Sequence, residues 1–151
     1  MRRLYFVLIG LGLVLFLAVS ALLARVFSVD GAERSAITAM LRAEAGGDRA
    51  AMAAAIQDCQ ASAACRARVA ADTSTLRRPG TVSIIQLQPS SGFSLTSTLG
   101  TARVAWEVGS SLPIVQCVRV RRAGDALSGL HIELLEISGR IPSDAACPAR
   151  F

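Results

Sequence analysis

The chain has 151 residues and a formal net charge of +5, with 16 basic side chains, all of them arginine, against 11 acidic ones. This length allows one domain of ordinary size with a single modest core. Without Arg2 and Arg3 at the N-terminus, 14 arginines face 11 acids, and an excess of +3 is too small to indicate a nucleic-acid-binding surface. The absence of lysine and asparagine is typical of a GC-rich, bacterial genome.

The N-terminal segment is an uncharged apolar run from residue 4 to residue 24. As a helix, this run would extend about 31 Å, close to the hydrocarbon thickness of a bilayer. Arg2 and Arg3 precede it, and the positive-inside rule then places residues 1–3 in the cytoplasm. The sequence therefore predicts a retained transmembrane helix at 4–24, with residues 25–151 outside the cytoplasm.

A cleaved signal peptide is the alternative interpretation of the same segment. Ala18 and Ser20, before Ala21, offer a cleavage site with the small-x-small pattern. The apolar run continues through Leu22 and Leu23, which a typical signal peptide lacks, so we expect the segment to be retained. Both interpretations export the domain, and we expect a single-pass protein of the cell membrane with its C-terminal domain extracytoplasmic.

The segment from residue 32 to residue 72 is rich in alanine and contains no proline, so it predicts helices after a linker at 25–31. Ser28 or Asp30 is expected to cap the first helix, and Gly46-Gly47 is expected to end it.

Two further helices are expected in the same half of the chain. Ile37, Met40 and Leu41 recur at helical spacing and indicate the buried face of the first helix. Asp48 is expected to cap the second helix, and a third short helix is expected near residues 62–71. Alanine buries little area, so these helices need a larger partner surface, which a β-sheet would supply.

The four cysteines all lie in the exported part of the chain, which favours disulfides. A metal site is disfavoured, because Cys59 and Cys65 are separated by five residues and the chain has one histidine. We expect Cys59 to pair with Cys65, where the helical segment must turn, and Cys117 to pair with Cys147, which would hold the C-terminal tail. Crossed pairings remain open.

From Thr81 onward the apolar residues alternate with polar ones, a pattern that predicts β-strands. Trp106 is in phase with Val104 and Val108, so we expect it in the core between sheet and helices. The phase slips at Leu134-Leu135, which indicates a bulge or burial on both faces. The strands are expected at residues 81–88, 93–99, 101–108, 114–121 and 130–137.

Helices followed by strands indicate an α+β fold, and two stretches suggest which one. Residues 36–43 with Gly47-Asp48 look like the opening helix and Gly-Asp break of the NTF2-like, or cystatin-like, superfamily. Residues 114–121, the Gly124-Asp125 turn and residues 130–137 look like its closing hairpin. The chain resembles a membrane-anchored bacterial member of this superfamily and is similar in layout to Mce-associated membrane proteins.

The resemblance implies short helices packed on a curved antiparallel sheet. That domain would span residues 32–141 and be followed by a tail at 142–151. The superfamily hosts enzymes, binding proteins and inert scaffolds alike, so the resemblance does not decide function.

Few residues of the sequence are candidates for catalysis or for binding a partner. His131 and Glu133 share a strand face and form the one candidate acid-base pair, although such a pair on an outer face is ordinary solvated surface. Arg119, Arg121 and Arg122 form the densest positive cluster and could contact acidic lipids or an acidic partner; a charged outer face that discourages edge pairing is the alternative. We expect no catalytic residue, cofactor or metal.

The leading hypothesis is therefore a non-enzymatic accessory or interaction subunit of the cell envelope, with the membrane and an envelope protein as partners and no nucleic acid. The alternative is a module that binds a small apolar ligand in the cavity of the curved sheet. That alternative requires a cavity lined by residues such as Trp106, Val118 and Leu134 rather than a filled core.

Overall fold

The computed structural model of the protein describes residues 2–90, 98–125 and 129–151. Within these ranges, the strands form one antiparallel sheet in the order β1-β2-β3-β4, so the architecture is α+β. The elements are α1 (Arg2–Gly46), α2 (Arg49–Ala55), α3 (Ala63–Thr75), β1 (Val82–Gln88), β2 (Thr98–Val108), β3 (Ile114–Asp125) and β4 (Gly129–Ile137).

The predicted transmembrane helix at residues 4–24 is wrong. Across the described part of the chain, no helix has a stretch that is both long enough and apolar enough to cross a membrane. Residues 4–24 are the first half of α1, a helix of 45 residues. The prediction treated the apolar run as a separate element, but neither a proline nor a pair of adjacent glycines interrupts residues 4–45, so the helix continues into the domain.

The predicted linker at residues 25–31 is likewise helical, and no helix begins at Ser28 or Asp30. The predicted end of the helix is confirmed, because α1 stops at Gly46 and Gly47 adopts a φ of 76°. That left-handed conformation is strained for most residues and easy for glycine.

One polar side chain caps the N-terminal end of each of the two short helices. The carboxylate of Asp48 accepts a hydrogen bond of 2.9 Å from the backbone N–H of Ala51, which confirms Asp48 as the cap of α2. The hydroxyl of Ser62 accepts one of 3.2 Å from the N–H of Cys65 and caps α3. Each cap satisfies an N–H group that a helix start leaves without a partner.

The sheet packs its inner face against the helices. Trp106 is fully buried there, as the alternation of β2 predicts, together with Ala102 and Val104. Leu135 is an extra residue in β4, since Arg119 pairs with Glu136 and Val120 pairs with Leu134, so the predicted bulge is confirmed. The helices contribute to the same core the buried side chains of Ile37, Met40, Leu41, Met52, Ile56, Val69 and Leu76.

The two edges of the sheet differ. Ile56 forms a parallel bridge to Leu134, and the N–H of Gln57 donates a hydrogen bond of 2.7 Å to the carbonyl of Leu134, so part of the β4 edge is covered. β1 has a bulge at Ile85, since Ile84 pairs with Trp106 and Gln86 with Ala105. Most of the strand predicted at 93–99 lies outside the described residues, and Thr98 begins β2.

The outer face of the sheet carries the C-terminal tail, residues 142–151. Val115 and Cys117 point to this face and are nevertheless buried. Arg103 donates a hydrogen bond of 2.6 Å to the carbonyl of Ser143, and the Arg119 guanidinium lies 5.1 Å from the centre of the Phe151 ring. The tail therefore forms a second layer over part of the sheet.

Both predicted disulfides are present. Cys59 is bonded to Cys65, with Cα atoms 5.2 Å apart, and Cys117 to Cys147, with Cα atoms 5.7 Å apart. The first bond closes the connection between α2 and α3. The second fixes the tail to β3, as expected for a segment with little packing of its own.

Candidate functional site: buried carboxyl groups beneath the sheet

Two glutamates lie on the apolar face of α1. Glu33 and Glu44 have the same helical phase as Ile37, Met40 and Leu41, and both are fully buried. Burying an ionised carboxylate is costly unless other groups compensate its charge. The surroundings of these two side chains are therefore the chemically most informative part of the molecule.

Three more polar residues occupy apolar positions on facing elements. Gln116 and Arg122 lie in the inward phase of β3, and Asp72 lies on the buried face of α3 with Val69 and Leu76. The sequence predicted no site role for Gln116, Asp72 or Glu44, and it predicted Glu33 only as an acidic residue in the first turn of a helix. The signal that could have found them is the interruption of an apolar face by one polar residue.

The first group, called here the Arg122 cluster, consists of Asp30, Glu33, Ser90 and Arg122. The backbone N–H of Ser90 donates a hydrogen bond of 2.8 Å to Glu33 Oε1, and the Ser90 hydroxyl donates one of 2.9 Å to Oε2. Arg122 donates to Oε2 from Nε at 2.9 Å and from Nη2 at 2.8 Å, and Nη2 also reaches Asp30 at 3.0 Å. Both oxygens of Glu33 are satisfied, and the cluster joins α1 to β3.

The second group, called here the Glu44 cluster, consists of Glu44, Trp106 and Gln116, and the negative charge of Asp72 on α3 acts on Glu44. Trp106 Nε1 donates a hydrogen bond of 2.7 Å to Gln116 Oε1. Gln116 Nε2 donates one of 2.7 Å to Glu44 Oε1 and one of 3.2 Å to the carbonyl of Ser138. The Gln116 amide thus connects α1, β2 and the segment after β4.

The Glu44 cluster is incomplete. Glu44 Oε2 and Asp72 Oδ2 are both buried, and neither has a hydrogen-bond partner among the residues that the structure describes. The other oxygen of Asp72 lies 3.9 Å from Arg68 Nη1, too long for a hydrogen bond. Buried polar atoms are nearly always paired in proteins, so these two oxygens require an explanation.

The pKa values of Glu44 and Asp72 are also unusual. Burial raises the pKa of Glu44 to about 8, with a smaller contribution from the negative charge of Asp72, against the opposing effect of the Gln116 hydrogen bond. Burial also raises the pKa of Asp72 to about 6, and Arg68 opposes that rise. At neutral pH the carboxyl group of Glu44 is therefore mostly protonated.

The predicted arginine cluster is divided between the two faces of the sheet. Arg119 forms an ion pair of 2.9 Å with Glu136, and Arg121 forms one of 2.9 Å with Glu133, both on the outer face. Arg122 points inward to Glu33. The three guanidinium groups are engaged with acids of their own chain, and their contact with an acidic partner stays a prediction.

The candidate acid-base pair also lies on the outer face. His131 Nε2 is 3.3 Å from Glu133 Oε1, and the His131 side chain is 62% exposed. The other oxygen of Glu133 is occupied by Arg121. The pair thus belongs to a group of solvent-exposed polar and charged side chains on the outer face of the sheet.

The cavity required by the ligand-binding alternative is occupied by side chains. Trp106 and Val118 are completely buried, and Leu134 is 3% exposed. The indole N–H of Trp106 is already used by Gln116. A ligand in this region would have to displace the core.

The described part of the chain contains no cluster of side chains of the kind that binds a metal ion. No group of three histidine, cysteine, aspartate or glutamate side chains converges there. The four cysteine sulfurs are held in disulfides.

Comparison with known proteins gives no match: no family model, no curated protein and no solved structure is significantly similar to the chain. The resemblance to the NTF2-like superfamily therefore stays a prediction, and the function has to be argued from the geometry.

Proposed function

We propose that the protein is a non-enzymatic interaction subunit of the bacterial cell envelope. In this proposal, the disulfide-bonded domain works outside the cytoplasm, and the apolar N-terminal part of α1 binds an apolar surface of a partner protein. The observation that carries the proposal is the exposure of that helical segment.

Among the side chains that the structure describes between Phe6 and Leu23, twelve large apolar ones are exposed, with exposed fractions from 47% at Val19 to 67% at Phe6. They include the consecutive residues 13–17, which at 100° per residue point to every side of the helix. A helix that is apolar all round is normally buried. The domain buries the other end of α1, from Glu33 to Ala45, so this segment is available to another molecule.

The disulfides support the assignment to an oxidising compartment. Both bonds join positions that the fold already brings together, and they use all four cysteines. Such bonds are rare in the cytosol, where thiols are kept reduced. The membrane localisation expected from the sequence stays a prediction.

The surroundings of the ionisable groups support a non-enzymatic role. The strongly perturbed carboxyls, Glu44 and Asp72, are buried beneath the sheet where a substrate has no access. The accessible pair, His131 and Glu133, is paired with Arg121 on an open face rather than in a cleft. A general base needs both access and a suitable pKa.

Site-specific photocrosslinking in living cells tests the proposal. A photoreactive amino acid at Leu13 or Leu17 should yield a crosslinked product with one defined envelope protein. The same amino acid at Gln60, which is exposed in the connection between α2 and α3, serves as the control and should yield none. Equal products from all three positions, or none from Leu13 and Leu17, would contradict the proposal.

A further inference from the structure

We propose that the partner of α1 is an apolar bundle of helices in a different protein, and that this bundle encloses residues 6–23 on all sides instead of binding one face. The inference rests on the proposed function and extends it, because it states the shape of the partner's binding site and distinguishes the partner from a second copy of this chain.

The exposed side chains surround the helix evenly. Four consecutive residues of α1, from Leu13 to Phe16, point in directions that differ by 100° from one residue to the next. Their exposed fractions are 59% at Leu13, 64% at Val14, 64% at Leu15 and 67% at Phe16. The described part of the domain therefore covers no side of this segment more than another, and all four sides carry an apolar residue.

Two glycines show that the space beside the segment is open. A Cβ atom built at Gly10 or at Gly12 would meet no atom of the described residues within 4 Å beyond the helix's own backbone. Both positions are more than about 30 Å along the helix from Glu33, where α1 is buried in the domain. Another molecule can therefore approach the segment from every direction.

The width of the apolar surface determines which binding site can bury it. Two packed helices share a stripe of about 100° or somewhat more, so one neighbouring helix leaves most of the circumference of α1 in water. Three or four helices at interaxial distances of about 8–10 Å cover the whole circumference. The sequence from Phe6 to Leu23 contains no charged residue, so the enclosing helices need apolar side chains.

Self-association of α1 does not bury the same surface. In a closed symmetric assembly, every copy presents the same face to its neighbours. The opposite face of each helix then points outward, whatever the number of copies. Leu13 and Leu15 lie about 160° apart around α1, so a symmetric bundle that buries one of them leaves the other exposed. A different protein, which needs no such symmetry, can cover both.

The apolar surface ends at a charged boundary, where α1 enters the domain. Asp30, whose side chain is 45% exposed, forms an ion pair of 3.0 Å with Arg122, and Arg122 also contacts Glu33 at 2.8 Å. These ion pairs fix α1 to β3 and place charged groups next to the apolar segment. An apolar centre with a polar rim is the usual arrangement of a protein–protein interface, so the bundle should end before Asp30.

Photocrosslinking around the helix tests the enclosure. The full chain carries a photoreactive amino acid at Leu13, Val14, Leu15 or Phe16, one position at a time, and is crosslinked in living cells. All four positions should yield an adduct with the same protein in comparable amounts. Adducts from one side of the helix alone would overturn the enclosure and leave the proposed function standing. Absence of a protein adduct at every position would overturn both.

Two copies of the chain with different tags, expressed in the same cells, identify other occupants. A main product that joins the two tagged forms would show self-association, and a main product with lipid would show insertion into a membrane. Either result would overturn the proposal.

A charged side chain on one side of the helix gives a second measurement. Leu15→Asp should reduce the adduct formed from position Leu17, about 160° away, by at least about tenfold, because the enclosed carboxylate has no partner. Leu112→Asp makes the same change at a leucine that is 80% exposed between β2 and β3, and should leave the adduct unchanged. Circular dichroism of both variants checks that the domain stays folded. An unchanged adduct in Leu15→Asp would contradict the enclosure.

Discussion

Glu33 and Glu44 lie on the same face of α1 and are both fully buried, yet the groups that donate hydrogen bonds to them differ in charge. Glu33 accepts hydrogen bonds from Ser90 and Arg122, whose guanidinium group supplies a full positive charge. Within the described residues, Glu44 accepts one hydrogen bond, from the neutral Gln116. A buried carboxylate is tolerated where a cation meets it and takes up a proton where none does.

The first prediction concerns the pH dependence of stability. Between about pH 4.5 and about pH 8, Glu44 binds a proton when folded but not when unfolded, because folding raises its pKa from 4.5 to about 8. The stabilisation is complete below pH 4.5 and is lost as pH rises through about 8. We expect the free energy of unfolding to fall by on the order of 3–5 kcal/mol over this window.

Urea unfolding at several pH values measures the slope of the free energy of unfolding against pH. Glu44→Gln should flatten most of it, while Glu107→Gln should leave it in place. Asp72, whose pKa rises from 3.8 to about 6, adds to the slope at its acidic end. Because the two carboxyl groups interact, their contributions will not add simply. A native slope near zero would show that Glu44 is ionised in the folded state.

The second prediction compares two neighbouring arginines. Arg122→Met removes the cation from fully buried Glu33 and should reduce the free energy of unfolding by about 3–5 kcal/mol. Arg121→Met breaks the ion pair with Glu133, where the arginine side chain is 39% exposed, and should cost about 1 kcal/mol or less. Chemical denaturation at neutral pH measures both. Equal losses would contradict the assignment of the two side chains to different faces.

At the scale of the elements, the disulfides act on segments that have little packing of their own. The Cys117–Cys147 bond spans 30 positions of sequence and holds the tail on the sheet, whereas Cys59–Cys65 spans 6. Chain entropy predicts a larger contribution for the longer loop. Arg103 and Arg119 support the tail through hydrogen bonds to the carbonyls of Ser143 and Ala149.

The third prediction follows from these loops. Replacing Cys117 and Cys147 by serine should lower the free energy of unfolding by about 4 kcal/mol, and replacing Cys59 and Cys65 by about 2 kcal/mol. Hydrogen exchange should also show loss of protection around Ile141 in the first double variant, since that residue pairs with Val115 beneath the tail. A larger loss for the shorter loop would contradict the entropic argument.

At the scale of the whole molecule, α1 divides into two parts with different surroundings. Residues 33–45 build the core with the sheet, while the apolar residues 6–23 lie outside it. The sheet in turn is covered by helices on one face and partly by the tail on the other. The described residues therefore combine a disulfide-bonded domain with an exposed apolar helical segment.

The fourth prediction concerns the compartment in which the domain folds. Protein from cells whose free thiols were alkylated before lysis should yield Cys59–Cys65 and Cys117–Cys147 peptides on mapping without reduction. Protein retained in the cytoplasm by a mutated N-terminal segment should yield alkylated cysteines instead. Four alkylated cysteines in the native protein would contradict the extracytoplasmic assignment.

Local patterns in the sequence determined much of the fold. Alternation in β2 determined the burial of Trp106, because successive strand residues face opposite sides of a sheet. The phase slip at Leu134-Leu135 indicated a bulge or burial on both faces, and the structure has the bulge. Asp48 and Gly47 determined where one helix ends and the next begins. Cysteine spacing, with the turn signals around it, favoured Cys59–Cys65 and Cys117–Cys147 and left the crossed pairings open, and the structure has the favoured pairs.

Only the tertiary structure decided which polar residues meet in the core. Glu44, Asp72 and Gln116 come from α1, α3 and β3, and no local pattern states that these three positions converge. It also decided that Arg122 turns inward while Arg121 faces solvent, and that the apolar run at 4–24 belongs to a longer helix. The physical reason is that alternation and spacing report on one element at a time, whereas the charge state of a buried group depends on what the facing elements present to it.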